Sequence, residues 1–165
     1  MQNQDFTTTI LVDQSPEEAF AAINKVSSWW NEDITGSTDT LGSTFKYRYR
    51  DVHATTLRID ELVPGKKVVW HVVENYFNFT EDKTEWTGDT IIFEISTKGN
   101  QTEVRFSQNG LTPLSECYNV CREAWSHFIN ESLFALITTG KGDPVAKDDS
   151  NENFNEELRE KHGIN

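Results

Sequence analysis

The 165-residue chain carries 27 acidic against 15 basic side chains, a net charge of −12. Such a field repels phosphate backbones and anionic lipid, so neither nucleic acid nor a membrane surface is an expected partner. Aromatic residues make up 12% of the chain, with 5 Trp and 10 Phe, enough bulk to fill a one-domain core or to wall a pocket.

In chain order, Phe6 to Val12 reads as a strand with Phe6, Thr8, Ile10 and Val12 on one side. Ser15-Pro16-Glu17-Glu18 then opens a helix. Ser15 suits the N-cap, Pro16 the first helical position, and Glu18 completes a capping box. Ala19, Phe20, Ile23 and Val26 follow at helical spacing and carry it to about Lys25. Ser27-Ser28-Trp29-Trp30 starts a second short helix, and residues 36–42 form a loop.

Strands come next in close order. Phe45, Tyr47 and Tyr49 alternate with Lys46, Arg48 and Arg50, which gives a half-buried strand with a solvated basic face. Residues 55–62 form another strand, which turns at Pro64-Gly65 into a partner over 67–73. Residues 74–88 show no clear period. Strands over 90–96 and 102–108 are joined at Lys98-Gly99-Asn100. From Ser115 to Thr139 the period becomes helical, with Cys117, Cys121, Ala124, Trp125, Phe128, Ser132 and Leu136 on or near one stripe. The helix stops at Gly140. Residues 143–165 are an acidic, flexible tail with one weak helix near 152–161, which leaves residues 1–142 as a single domain.

This order predicts an α+β fold. A curved antiparallel sheet of about six strands wraps around a long C-terminal helix, with two short helices after the first strand. The gap between sheet and helix is where a small ligand binds. Its expected wall is the inward set: Phe45, Tyr47 and Tyr49 from one strand, Leu57 and Trp70 from the next two, Phe93 and Phe106 beyond them, and Trp125 and Phe128 from the helix. The alternative is that these residues only fill a core.

Chemistry-bearing motifs are sparse. Strict alternation turns His71 away from Trp70 and from the cavity. His53 sits at a strand start with either orientation open, and His127 lies on the outer edge of the helix. No catalytic triad follows from scattered histidines. Glu74 and Glu94 form an acid–base pair only if the fold brings them together. Cys117 and Cys121 lack further ligands for zinc and read as core cysteines. No cofactor, metal or catalytic residue is expected. No apolar run of about eighteen residues predicts a membrane-spanning helix. No export signal is visible, so the expected location is the cytoplasm.

Several segments together resemble a known superfamily. They are Ser15 to Phe20, Trp29-Trp30, the Val63 to Trp70 hairpin, Gly99 to Phe106 with Asn109-Gly110-Leu111, and the Trp125 to Gly140 helix. Over roughly residues 5–142 the chain resembles the START and birch-pollen-allergen superfamily of helix-grip proteins. Within it, the chain is similar to the bacterial subgroup named after the activator of the heat-shock protein 90 ATPase. The resemblance implies an internal hydrophobic cavity and non-enzymatic binding of a small hydrophobic or aromatic molecule. It also implies two alternatives, a protein-interaction or co-chaperone role and a cavity enzyme of cyclase or hydratase type. In the co-chaperone that names the subgroup, this domain is the C-terminal half, and its N-terminal half has no counterpart in these residues. Oligomeric state stays open.

Overall fold

The computed structural model describes residues 4–146. It is an α+β fold built on one seven-stranded antiparallel sheet. In chain order the elements are β1 (Phe6–Val12), α1 (Pro16–Asn24), α2 (Val26–Trp29), β2 (Ile34–Gly36), β3 (Thr44–Tyr49), β4 (His53–Val63), β5 (Lys67–Phe77), β6 (Thr90–Lys98) and β7 (Gln101–Asn109). The long C-terminal helix follows as α3 (Tyr118–His127), a π-helical turn (Phe128–Leu133) and α4 (Phe134–Thr139). The sheet order is β1-β7-β6-β5-β4-β3-β2, so the first strand closes against the last and β2 forms the far edge.

Local chemistry places the first helix. The Ser15 hydroxyl accepts from the Glu18 amide at 3.1 Å, and the Glu18 carboxylate accepts from the Ser15 amide at 2.9 Å. Both halves of the capping box are therefore made, with Pro16 at the first helical position where no amide is needed. Ala19, Ala22 and Ile23 face inward. The Trp29 indole then donates to the Ile23 carbonyl at 3.0 Å, which folds α2 back on α1.

Three features were not expected from sequence. The edge strand β2 is three residues long, too short to show a period. β5 runs on to Phe77, past the expected end at residue 73. Its register slips where Thr56 faces Glu74 but Leu57 faces Val72. The bulge inserts Val73, and the alternation resumes out of phase, with Asn75 and Phe77 inward. Third, the helix carries its π turn at mid-length. The extra residue in that turn rotates the buried face, so Ile137 is buried and Leu136 is only half-buried, against the expected stripe.

Gly140 ends the helix with φ +87, and its amide donates to the Leu136 carbonyl at 3.0 Å. The chain then turns back across the helix. Ser132 Oγ donates to the Trp29 carbonyl and accepts from the Asp143 amide, each at 2.7 Å. Val145 bonds to the Trp30 carbonyl and to the Glu32 amide. The expected acidic tail therefore starts in contact with α2, and the helix expected near 152–161 lies outside the described residues. Among the described residues, no helix is long and apolar enough to cross a membrane.

Candidate functional site

The solid core is a row of fused aromatic contacts. Phe45 meets Trp70 at 5.1 Å, Trp70 meets Phe93 at 5.0 Å, Phe93 meets Phe106 at 5.2 Å, and Phe106 meets Trp125 at 4.5 Å. Phe45, Leu57, Trp70, Phe93 and Phe106 have no exposed surface. At the far end of the row, between the sheet and α3, the packing opens into a cavity of about 70 Å³.

Several elements line that cavity. Strand β3 contributes Tyr47 and Tyr49, the turn after it Val52, and β4 its first residue, His53. The end of β5 contributes Phe77, and the segment after it Phe79 and Trp86. Helix α3 supplies Val120, Cys121, Ala124 and Trp125, with Phe128 at the π turn, while Trp30 and Val145 close one side. Of the residues named from sequence, Tyr47, Tyr49, Trp125 and Phe128 stand on this wall. Phe45, Leu57, Trp70, Phe93 and Phe106 share the inward face but lie in the filled part of the core. Strand parity fixes which face a residue takes, whereas depth along the sheet depends on where the helix crosses.

His53 is the polar centre of the wall. Its ring lies 4.3 Å from Phe77, 4.7 Å from Trp86 and 5.0 Å from Tyr47. Its Nε2 is 2.9 Å from Asn75 Oδ1, and donates to it in the tautomer that carries the ring proton on Nε2. Burial drives its pKa down to about 3, against a weaker opposing effect of the Asn75 hydrogen bond. Tyr47 is shifted the other way. Burial pushes its hydroxyl up, and the Asn31 side chain beside it opposes the shift. Both groups are uncharged at neutral pH, and the described wall carries no carboxylate, ammonium or guanidinium.

Beyond Trp125 a buried polar relay leads outward. The Trp125 indole donates to Gln108 Oε1 at 2.8 Å, and Gln108 Nε2 donates to Asp89 Oδ2 at 2.9 Å. Burial pushes the Asp89 carboxyl up to about 6, opposed by the Gln108 bond and reinforced by the nearby Glu85 and Asp5 charges. Cys117 and Cys121 are free and buried, and burial raises the Cys117 thiol. His127 sits outside, 3.4 Å from Glu131 and 3.6 Å from Asp143. His71 is half-buried opposite Arg58 and Thr90 and takes no part in the wall. Glu94 faces Lys67 at the start of β5, and Glu74 lies near its end, so the two carboxylates do not meet. No cluster of His, Cys, Asp or Glu among the described residues is arranged to hold a metal.

The segment over 78–88, which brings Phe79 and Trp86 to the wall, is latched to the start of the C-terminal helix. Glu85 accepts from the Glu116 and Cys117 amides at 2.6 and 3.1 Å. Reciprocally, Glu116 accepts from the Glu81 and Asp82 amides at 3.0 and 2.8 Å. The Glu116 and Cys117 amides precede the first turn of α3 and have no intrahelical acceptor. Glu85→Ala is expected to cost about 1–2 kcal/mol in urea denaturation, because two charge-assisted bonds to backbone are lost at a half-exposed site. A change below about 0.5 kcal/mol would show that the latch carries no stability.

A curved sheet gripping one long helix, with a cavity held between them, defines a helix-grip protein. The chain belongs to the family described as Activator of Hsp90 ATPase homolog 1-like protein, whose model matches residues 14–138. It is similar to the Aha1 protein of Colwellia psychrerythraea, solved in solution as a dimer, with 29% identity, a TM-score of 0.67, and coverage of 84% of this chain and 99% of that one. Two further likenesses show the fold alone. A Staphylococcus saprophyticus protein is 15% identical with a TM-score of 0.64, covering 87% of this chain and 98% of that one. A protein of the dynemicin biosynthetic locus is 12% identical with a TM-score of 0.64, covering 86% of this chain but 49% of that one. Comparison with curated proteins gives no match.

Proposed function

We propose that the protein binds a small hydrophobic or aromatic molecule, without chemistry, in the cavity between the sheet and the C-terminal helix. The observation that supports this reading most is the wall itself. An otherwise close-packed aromatic core leaves a free volume of about 70 Å³, ringed by Trp30, Tyr47, Trp86 and Trp125 and free of charge among the described residues. Filling such a volume restores contacts that an empty one forfeits. Tyr49 and Phe128 are further proposed contacts. The cytoplasm is the proposed location, and no cofactor enters this reading.

Native mass spectrometry of freshly purified protein tests it. A small mass retained under gentle ionisation and released on denaturation is the expected result. A clean apo mass, together with no thermal shift across a library of aromatic and lipid compounds, would overturn it.

The second reading is a protein-interaction role of co-chaperone type, favoured by the match to the Activator of Hsp90 ATPase homolog 1-like family. A pull-down with a bacterial heat-shock protein 90 homologue and an ATPase assay decide it, and no binding at micromolar protein refutes it.

A further inference from the structure

We propose that the cavity holds an uncharged molecule of about three non-hydrogen atoms with one hydrogen-bond acceptor, such as a short aldehyde or nitrile, and that Trp86 Nε1 is the donor that reads the acceptor. The inference rests on the cavity-binding reading above and narrows it to one class of ligand.

The first observation is that a free donor coincides with free volume. Trp86 is 3% exposed, and its Nε1 is buried with no hydrogen-bond partner. Other side chains also bury an unpartnered polar atom, Trp70 in the filled row among them. Of those described, Trp86 is the only one that also stands on the cavity wall. The Cys117 thiol beside it is a weak acceptor and leaves the donor unpaired. A buried donor without a partner is costly and calls for an explanation. An acceptor on an occupant of the cavity supplies one.

The second observation is that this donor is held in place. The indole stacks on Trp125 at 5.9 Å and meets His53 and Phe77 edge-on at 4.7 and 5.5 Å. Its chain neighbour Glu85 is bound to the Glu116 and Cys117 amides. A donor already immobilised loses little freedom when an acceptor arrives.

The third is size. The free volume of about 70 Å³ is less than half of the roughly 150 Å³ that admits benzene, so a ring, a sterol or an acyl chain does not fit the cavity as it stands. Scaled from the six carbons of benzene, the volume takes about three non-hydrogen atoms. Two waters need about the same space, but each requires two to four polar partners. The described wall offers one unpartnered buried donor among mainly aromatic and aliphatic side chains. An occupant with one acceptor and an otherwise apolar surface matches that wall. No ionised group stands on the described wall, so a carboxylate or an ammonium group would be buried unpaired.

Proton–nitrogen correlation spectra of the full chain test the assignment, with acetonitrile, propyne, acetate and toluene as probes. The chain has 5 Trp, and the indole N–H signal that is lost in Trp86→Phe identifies that of Trp86. Acetonitrile is expected to move this signal downfield to saturation. Propyne has the same shape without the nitrile acceptor and is expected to bind about 3–10-fold more weakly. Acetate and toluene are expected to leave the signal in place. In Trp86→Phe, whose remaining indole signals report a folded chain, the preference for acetonitrile over propyne is expected to disappear. Propyne binding as tightly as acetonitrile in the natural chain overturns the role of Trp86 and leaves the cavity reading standing. Acetate or toluene binding more tightly than acetonitrile overturns the ligand class. A Trp86 N–H that cross-relaxes with a bound water and does not shift with acetonitrile overturns the inference in favour of a hydrated cavity. If no probe shifts any signal the inference is overturned, and the cavity reading is then decided separately by the mass retained under gentle ionisation.

Discussion

Lowering the pH from 7 to 4 is expected to remove about 3 kcal/mol of folding stability through a single imidazole, that of His53. Its ordinary value of 6.5 falls to about 3 in the folded protein, chiefly through burial. Above pH 6.5 both folded and unfolded chains hold it neutral, and the contribution is fully present. As the pH falls, the unfolded chain takes up the proton near 6.5, while the folded chain refuses it until about 3. Stability is therefore lost across that window, at about 1.4 kcal/mol for each pH unit. The full loss is on the order of 5 kcal/mol, comparable to the net stability of many domains. Asp89 acts with the opposite sign. Its value is raised from 3.8 to about 6, so its contribution is present below 3.8 and is lost as the pH rises through 6. Urea denaturation of the natural chain and of His53→Phe at pH 7 and pH 4 isolates the imidazole, since both proteins keep Asp89. The gap between the two proteins should change by about 3 kcal/mol between those pH values. Parallel behaviour would mean that the ring is not buried as a neutral base.

Trp125→Ala is expected to destabilise the protein by about 4–5 kcal/mol, at the upper end for large-to-small substitutions. Trp125 is 2% exposed and packs against Phe106 at 4.5 Å, Trp30 at 4.9 Å and Trp86 at 5.9 Å. Two losses add. The indole leaves a void beside an existing cavity, where sheet and helix are held apart and cannot collapse onto it. Gln108, which has no exposed surface, also loses the donor to its Oε1. Trp125→Phe keeps most of the bulk and isolates the hydrogen bond, with an expected cost of about 1–2 kcal/mol. A loss under 2 kcal/mol for the alanine variant would show that the helix settles into the void, and that the cavity is not held open by the fold.

Sequence was most informative where a rule acts over a few residues. The capping box fixed the start of α1 at Pro16, and alternation put Phe45, Tyr47 and Tyr49 inward. Depth was not readable. Tyr47 reaches the cavity while Phe45, two residues away on the same face, is sealed behind it, because only the helix crossing decides where packing ends. Asn75 and Phe77 were missed because the bulge at Val73 breaks the period that would have revealed them. Trp86 and Phe79 come from a segment without regular structure, positioned by carboxylate-to-amide bonds that leave no pattern. His53 sat at a strand start with its orientation undetermined until β5 was seen to continue opposite it, pairing His53 with Phe77.

The pairing of β1 with β7 has a consequence for biosynthesis. Phe6 lies opposite Gln108, 102 positions further along the chain. At about 5–20 residues per second, the ribosome needs about 5–20 s to deliver that partner. During that interval Phe6, Ile10 and Val12 have no sheet to join, and the open edge of β1 is a template for any other nascent strand. Short side chains at Thr7, Thr8 and Thr9 keep that edge polar while it waits. Slowing translation within residues 13–100 lengthens the exposure, so yield of folded protein should depend on elongation rate there more than on the rate after Asn109.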